Sequence, residues 1–121
     1  MERIRYSVRV TRALPSSVRI THPPLRVGPR QAVTVLERSD EWPAFVLVKT
    51  PSGECGWVPE RYLGSERPRT RAGRDYDTTS LDPAVGETLT VLESDEESGW
   101  LWCRASDRQV GWYPKDYVDE I

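Results

Sequence analysis

The sequence predicts an all-β protein made of two copies of one small module. The pattern Gly-Trp-x-Pro-x-x-Tyr occurs at residues 56–62 and again at residues 111–117, an offset of 55. A pattern this long, repeated at one spacing, indicates an internal duplication. The segments around it are short, rich in β-branched residues and alternating in polarity, which is typical of strands. No segment sustains the apolar period of an amphipathic helix.

The duplication extends upstream of the Gly-Trp pattern. Residues 25–37 match residues 81–93 at an offset of 56, and residues 45–49 match residues 100–104 at an offset of 55. The change of one residue falls in polar stretches, so a loop is expected to absorb it. Each matched segment is therefore predicted to be a strand that occurs once in each copy.

Alternation within the strands predicts which side chains face the core. In the run Trp100-Leu101-Trp102-Cys103, period 2 places Leu101 and Cys103 on one face and the two tryptophans on the other. Val46 and Val48 match the inward pair in the first copy. The triplets Pro-Ser-Gly at 51–53 and Ser-Asp-Arg at 106–108 are predicted to be the hairpin turns that follow.

The repeat predicts three segments: a first domain at 1–64, a short linker at 65–71 and a second domain at 72–121. The linker is polar and contains Pro68, so a stiff spacer is expected. Domains of roughly 55–60 residues lie near the lower size limit for a stable core, which favours compact barrels.

Composition excludes several classes of protein. The net charge is −2, with 10 Lys+Arg against 7 Asp+Glu in residues 1–66 and 7 against 12 in residues 67–121. The N-terminus has no apolar signal region, and no apolar run approaches the roughly 20 residues that span a bilayer. A cytoplasmic protein without membrane segments is expected. Two cysteines and one histidine provide neither a disulfide framework nor a four-ligand zinc site, so no metal and no cofactor are predicted.

Four pieces of the second copy carry a family resemblance. They are the run Ala-Gly-Arg-Asp-Tyr-Asp at 72–77, the strand Gly-Glu-Thr-Leu-Thr-Val-Leu at 86–92, Gly99-Trp100, and the run Gly-Trp-Tyr-Pro-Lys-Asp-Tyr-Val at 111–118. In this order and spacing, the second copy resembles an SH3 domain over its whole length. The first copy resembles a more divergent, bacterial-type SH3 domain. The resemblance implies two small five-stranded SH3-like barrels in tandem.

The resemblance also implies a ligand site. SH3 domains bind Pro-rich segments in the polyproline II conformation through a shallow groove of aromatic rings. The matching positions of the second copy are Tyr76, Trp100, Trp112, Pro114 and Tyr117. Those of the first copy are Phe45, Trp57, Pro59 and Tyr62.

The groove departs from the family pattern in both copies. Arg74 replaces the first groove tyrosine of the second copy, and Val10 and Arg12 stand where the first copy would have its two tyrosines. Acidic residues that pair with a ligand Arg or Lys are expected in the loop that contains Glu96 and Glu97. Trp42 has no counterpart in the second copy and is interpreted either as an inter-module plug or as an exposed anchor.

The predicted function is a non-enzymatic, adaptor-like interaction module. The second domain is expected to bind an extended, Pro-rich and basic segment, with the first domain as structural partner or secondary site. The chain contains no Pro-x-x-Pro of its own, so an occluded groove would need inter-domain packing. Single-stranded nucleic-acid binding by the Arg-rich first barrel and peptidoglycan binding are the alternatives. No nucleophile, base or metal set suggests catalysis, and His22 lies alone in a loop.

Overall fold

A computed structural model describes residues 5–14 and 24–121, and it confirms the all-β class. No α-helix occurs in these residues, and the only helical elements are two short 3₁₀ turns, at Glu60–Tyr62 and Lys115–Tyr117. No helix in the described part of the chain has the length and apolar character needed to cross a membrane. The strands are β1 (Tyr6–Val10), β2 (Arg26–Val27), β3 (Ala32–Arg38), β4 (Phe45–Lys49), β5 (Cys55–Pro59), β6 (Arg69–Arg71), β7 (Tyr76–Asp77), β8 (Thr88–Asp95), β9 (Trp100–Arg104), β10 (Val110–Pro114) and β11 (Val118–Glu120).

The described residues divide into two compact units, each containing one Gly-Trp motif. Residues 24–78 form the first, here named the Trp57 unit. Residues 5–14 together with residues 79–121 form the second, here named the Trp112 unit. The second unit is thus assembled from two separate segments of chain.

The Trp57 unit contains a four-stranded antiparallel sheet in the order β5-β4-β3-β6, and a two-stranded ribbon of β2 and β7. The inward residues of β4 are Val46 and Val48, as alternation predicted, and both are buried. Val33, Val58 and Tyr76 are also buried in this unit. Its core is therefore supplied by the strands on both sides of the first Gly-Trp motif.

The Trp112 unit contains a five-stranded antiparallel sheet in the order β10-β9-β8-β1-β11. Leu101 and Cys103 face the core of this unit, again as predicted. They lie among residues of β1, β8 and β10 that are equally buried: Val8, Val10, Leu89, Val91 and Tyr113.

The two units share a bulge that the sequence comparison did not locate. The register of β3 against β4 shifts between Val35 and Glu37, and that of β8 against β9 shifts between Val91 and Glu93. An inserted residue bends a strand and increases its twist, which lets a small sheet curve over its own core. The same device at equivalent positions matches the duplication seen in the sequence.

The first strands are placed differently from the division expected from the repeat. Strand β1 pairs with β8 and β11 of the Trp112 unit, although residues 1–64 were expected to form one domain. Residues 69–71, expected in a spacer, form β6 and pair with β3 of the Trp57 unit. Residues 72–78, expected in the second domain, also belong to the Trp57 unit.

A short local closure accounts for the position of β6. Leu63 forms a β-bridge with Ala72, Gly64 N–H donates to the Arg71 carbonyl at 3.0 Å, and Gly73 N–H donates to the Tyr62 carbonyl at 2.7 Å. The chain that leaves the first Gly-Trp motif therefore turns straight back onto the sheet that it has just completed. Closing a loop this short costs less conformational entropy than a distant pairing would.

Gly111 is required by close backbone contacts within the Trp112 unit. A Cβ at this position would lie 3.1 Å from backbone atoms of Thr79, Ser80 and Leu81. Here Trp112 N–H donates to the Thr79 carbonyl at 2.9 Å, and Leu81 N–H donates to the Trp112 carbonyl at 3.1 Å. The glycine of the motif thus permits residues 79–81 to pair with β10.

Candidate functional site

Both Gly-Trp-x-Pro-x-x-Tyr motifs form the same local structure, a strand that leads directly into a 3₁₀ turn. Pro59 and Pro114 precede the two turns with φ of −58° and −66°, within the narrow range that the proline ring allows. Both prolines are fully buried, whereas Trp57 and Trp112 are half-buried. The motif therefore fixes a proline inside the unit and leaves part of a tryptophan ring at the surface.

The Trp112 unit carries an aromatic face on strands β9 and β10. Trp102 lies directly opposite Trp112, and Trp100 lies directly opposite Pro114. Directly opposed residues point to the same side of a sheet, so the four side chains share one face. The Trp102 and Trp112 rings meet edge to face, with centroids 5.0 Å apart and planes at 62°. Since both are half-buried, they provide the accessible part of this face.

Acidic side chains of β8 border this aromatic face. Glu93 lies opposite Trp102, and Asp95 lies opposite Trp100. Ser98 Oγ donates to the Asp95 carboxylate at 2.8 Å, which holds that carboxylate at the end of the strand. The face is thus an aromatic surface with carboxylates along one side.

Glu96, predicted as a ligand partner, has protein partners in the structure. It accepts a hydrogen bond from the Ser94 hydroxyl and lies 3.6 Å from the Lys115 ammonium. The Ser94 hydrogen bond and the Lys115 charge, in that order, lower the pKa of Glu96. Glu97 is exposed beside it. Both carboxylates lie in the turn between β8 and β9, close to the acidic border in sequence.

The structure does not bring the predicted groove residues of the second copy into one unit. Trp100, Trp112, Pro114 and Tyr117 lie in the Trp112 unit, but Tyr76 lies in the Trp57 unit. The Tyr76 ring packs edge-on against Tyr62, with centroids 5.4 Å apart and planes at 67°. Tyr76 lies in the Trp57 unit because Ala72 pairs with Leu63 and β7 pairs with β2.

The corresponding strand of the Trp112 unit comes from the N-terminal segment. Val10 is buried there, and the Arg12 guanidinium lies over the Tyr117 ring, 4.2 Å from its centroid. The hydroxyl of the buried Tyr113 donates a hydrogen bond to the Arg12 carbonyl. Val10 and Arg12, which were predicted to replace groove tyrosines of the first copy, therefore belong to the unit that contains Tyr117.

In the Trp57 unit, arginines surround the equivalent tyrosine. The Arg74 and Arg61 guanidiniums lie over the Tyr62 ring, 4.4 and 4.5 Å from its centroid. Arg61 also donates a hydrogen bond of 3.0 Å to the Tyr62 hydroxyl. Arginine on an aromatic face gains cation–π attraction of roughly 0.5–1 kcal/mol at an exposed site. In the sequence, Arg12 and Arg74 were noted only as residues that replace groove tyrosines. No sequence pattern indicated that Arg61 lies over the Tyr62 ring with Arg74.

Most of the predicted groove residues are buried in the structure. The exposed fraction is 5–7% for Phe45, Tyr76, Trp100 and Tyr117, and it is below 2% for Pro59 and Pro114. Trp57, Tyr62 and Trp112 are half-buried. The half-buried aromatic rings that a partner could reach therefore include Trp102 and Trp112 in one unit, and Trp42, Trp57 and Tyr62 in the other.

The arginines that motivated the nucleic-acid alternative are not gathered in one unit. Arg5, Arg9 and Arg12 lie in the Trp112 unit, while Arg26 and Arg30 lie in the Trp57 unit. Arg3, Arg19 and His22 lie outside the described residues. Trp42, left open as plug or anchor, is half-buried.

The described residues contain no group of three His, Cys, Asp or Glu side chains that could hold a metal ion. Cys55 is half-buried and Cys103 is buried, and both are free thiols. Burial raises the pKa of Cys103 to about 12, which makes this thiol a core residue and not a nucleophile.

Comparison with known proteins finds relatives over part of the chain. No protein-family model and no solved structure matches it. It is similar to protein kinase C and casein kinase substrate in neurons protein 2 of Xenopus laevis, with 43% identity over 73 residues, covering 58% of this chain and 15% of that protein. The Gallus gallus protein of the same name is 39% identical over 56 residues, covering 44% of this chain and 12% of that protein.

A third relative carries the domain name in its own description. It is an SH3 and F-BAR domain-containing protein of Dictyostelium discoideum, 38% identical over 60 residues, covering 47% of this chain and 15% of that protein. The matched part is thus a small fraction of each of these three relatives, 12 to 15% of its length. Together with the all-β fold, the similarities support a protein-interaction module of the SH3 type and not an enzyme.

Proposed function

We propose that the chain binds an extended, Pro-rich segment of a partner protein through the aromatic face of the Trp112 unit. The observation that carries this proposal is the half-exposed Trp102–Trp112 pair, with ring centroids 5.0 Å apart, beside the carboxylates of β8. Flat aromatic rings pack well on proline rings, and a polyproline II segment loses little conformational entropy when it docks.

The acidic border favours a ligand with a flanking Arg or Lys. Glu93 and Asp95 lie in the same cross-strand rows as Trp102 and Trp100, and the exposed Glu97 follows in the adjacent turn. Complementary charge of this kind increases the rate of association and selects partners more than it adds affinity. The two free cysteines suit a reducing, cytoplasmic setting for this interaction.

The equivalent face of the Trp57 unit is a weaker candidate for the same ligand. There, Leu47 takes the place of Trp102 opposite Trp57, so the aromatic pair is missing. Leu47 is also buried. This difference between the two units supports the assignment of the Pro-rich site to the Trp112 unit.

The test is an amide and indole NMR titration of the full chain with a ten-residue blocked peptide that contains two prolines three positions apart and a flanking Arg. The indole signals of Trp102 and Trp112 are expected to shift. Trp112→Ala is expected to weaken binding at least tenfold, because buried aromatic anchors contribute about 2 kcal/mol or more. Trp57→Ala is the matched control and is expected to leave the affinity unchanged.

A titration without indole shifts would contradict the proposal, as would equal losses for Trp57→Ala and Trp112→Ala. A peptide with Gln in place of Arg isolates the charge contribution. It is expected to bind more weakly at low salt and to approach the Arg peptide as salt is added, since added salt screens exposed charges.

A further inference from the structure

Tyr62 is the centre of a second exposed surface, in the Trp57 unit, whose charge is opposite to that of the aromatic face. The guanidiniums of Arg61 and Arg74 lie 4.5 and 4.4 Å from the Tyr62 ring centroid. Both arginines are exposed and the tyrosine is half-buried. The three side chains are here named the Tyr62 surface.

Stacking prepares an arginine to receive a carboxylate. A guanidinium held at a ring face keeps N–H donors that can match the two oxygens of a carboxylate. Within residues 5–14 and 24–121, the Arg74 side chain has the Tyr62 ring as its contact and no carboxylate partner. Its donors are thus held in one place by the ring and remain available.

The carboxylates in the same part of the unit are already engaged. Glu60 accepts from Arg38 at 2.7 Å and from Arg67 at 2.9 Å, and these two hydrogen bonds lower the pKa of Glu60. Asp77 accepts from Arg26 at 3.2 Å.

Asp75 is the carboxylate next to Arg74 in sequence, and it is exposed. Its Oδ1 lies beside Gly28, 3.7 Å from where a Cβ of that glycine would be. Within the described residues, Asp75 forms no ion pair with Arg74, whose guanidinium contacts the Tyr62 ring.

The other unit provides an internal comparison. Arg12 lies over Tyr117 as Arg74 lies over Tyr62, at 4.2 Å. However, Asp116 occupies the position of Arg61 in the repeat, and the Tyr117 residue is only 6% exposed. The paired arginines on an accessible ring therefore distinguish the Trp57 unit.

We propose that the Tyr62 surface is a second binding site and that it takes a carboxylate of an acidic, extended peptide segment. Arg74 supplies charge-assisted hydrogen bonds, Arg61 adds a second positive charge, and the Tyr62 ring supplies an apolar face for the segment beside the carboxylate. This site is separate from the aromatic face of the Trp112 unit, and it selects the opposite charge.

The experiment uses the full chain and three terminally blocked ten-residue peptides in which proline alternates with Glu, Gln or Lys. Proline keeps all three peptides extended, so they differ in charge alone. In amide NMR titrations, the Glu peptide is expected to shift the signals of residues 61, 62 and 74, and the Gln and Lys peptides are expected to leave them unmoved. Affinity for the Glu peptide should fall as salt is added.

Two matched variants locate the site. Arg74→Gln is expected to weaken binding of the Glu peptide about tenfold, the usual scale for losing a hydrogen bond to a charged group. Arg12→Gln removes the equivalent arginine from the other unit and should leave this affinity unchanged. Both side chains are exposed, so the amide spectrum of each variant is expected to remain that of the folded protein.

Three results would overturn the proposal: shifts of residues 61, 62 and 74 with the Lys or Gln peptide as large as with the Glu peptide, equal losses for Arg74→Gln and Arg12→Gln, or shifts spread over exposed arginines of both units. Trp112→Ala separates the two sites. If Trp112→Ala abolishes binding of the Arg-containing Pro-rich peptide and leaves binding of the Glu peptide intact, the two sites are independent of each other.

Discussion

In the structure Arg12 and Arg74 hold equivalent positions, because Thr11 N–H donates to the Tyr117 carbonyl as Gly73 N–H donates to the Tyr62 carbonyl. Each guanidinium lies over the tyrosine of a 3₁₀ turn, at 4.2 and 4.4 Å. A tyrosine at these positions would offer an apolar wall to a proline ring. An arginine offers a flat cation with outward N–H donors instead. At Arg74, this difference is the basis of the carboxylate site proposed for the Tyr62 surface.

Cys103 is expected to be unreactive in the folded protein. Its thiol is fully buried, and burial raises its pKa to about 12, so the thiolate is nearly absent at pH 8. Ellman's reagent should titrate one thiol, Cys55, in the native protein and two in guanidinium chloride. The native Cys55→Ser variant should show no rapid reaction with Ellman's reagent. A rapid reaction in that variant would show that Cys103 is accessible.

Glu60 is expected to stabilise the Trp57 unit in a pH-dependent way. Hydrogen bonds from Arg38 and Arg67 lower its pKa, so the contribution is fully present above the ordinary value of 4.5 and is lost as the pH falls from there through the lowered pKa. The side chain is 36% exposed, so screening by solvent limits the effect to less than about 1 kcal/mol. Glu60→Gln should lower the urea midpoint at pH 7 and lower it less at pH 3.

Glu66→Gln is the matched control for that measurement. Glu66 is exposed, and its side chain has no ion pair within the described residues. It should therefore show no difference at either pH. A deficit of Glu60→Gln as large at pH 3 as at pH 7 would mean that the loss comes from packing and not from charge.

At the scale of elements, strand β1 connects the N-terminal segment to the sheet of the Trp112 unit. It pairs with β8 on one side and β11 on the other, and Val8 and Val10 face the core with 1% exposure each. Because β1 occupies an interior position of this sheet, its loss would separate β11 from β8.

Val8→Asp should therefore destabilise the Trp112 unit, at a cost of several kcal/mol for a buried, unpaired carboxylate. In the NMR spectrum, the indole signals of Trp100, Trp102 and Trp112 should lose their native positions. Ser7→Asp places the same charge on the exposed side of the same strand and should be tolerated. Loss of the Trp57 signal in place of the other three would contradict the strand assignment.

At the scale of the whole molecule, the two copies of the module are not two successive pieces of chain. Residues 24–78 contain every strand of the Trp57 unit. A fragment of residues 65–121 contains the predicted linker at 65–71 and the predicted second domain at 72–121. It lacks β1 and keeps β6 and β7 without their partner strands.

We expect a fragment of residues 24–78 to give a dispersed amide spectrum and a cooperative urea transition. The fragment of residues 65–121 should give neither. Addition of a synthetic peptide of residues 1–14 should restore dispersion to the second fragment, since it supplies β1 in trans. Independent folding of residues 65–121 without the peptide would favour the division at 65–71.

Local pattern was sufficient for the class of fold and for much of the core. Alternation identified the inward pairs Leu101–Cys103 and Val46–Val48, because a strand's two faces follow from its period of 2. The repeated motif identified two prolines and two tryptophans in equivalent structures. Ligand contact at the predicted groove residues stays a prediction. Six of these residues are buried, which leaves fewer of them accessible to a ligand.

By itself, the sequence determined an all-β chain with one module used twice, because periodicity and repetition are properties of neighbouring residues. Only the tertiary structure decided which sheet receives each first strand, and so whether Tyr76 lies with Trp100 or with Tyr62. Strand β1 lies between β8 and β11, whereas β6 lies at the edge of its sheet beside β3. Choosing between such partners depends on loop closure and on packing across the whole unit, which no local pattern records.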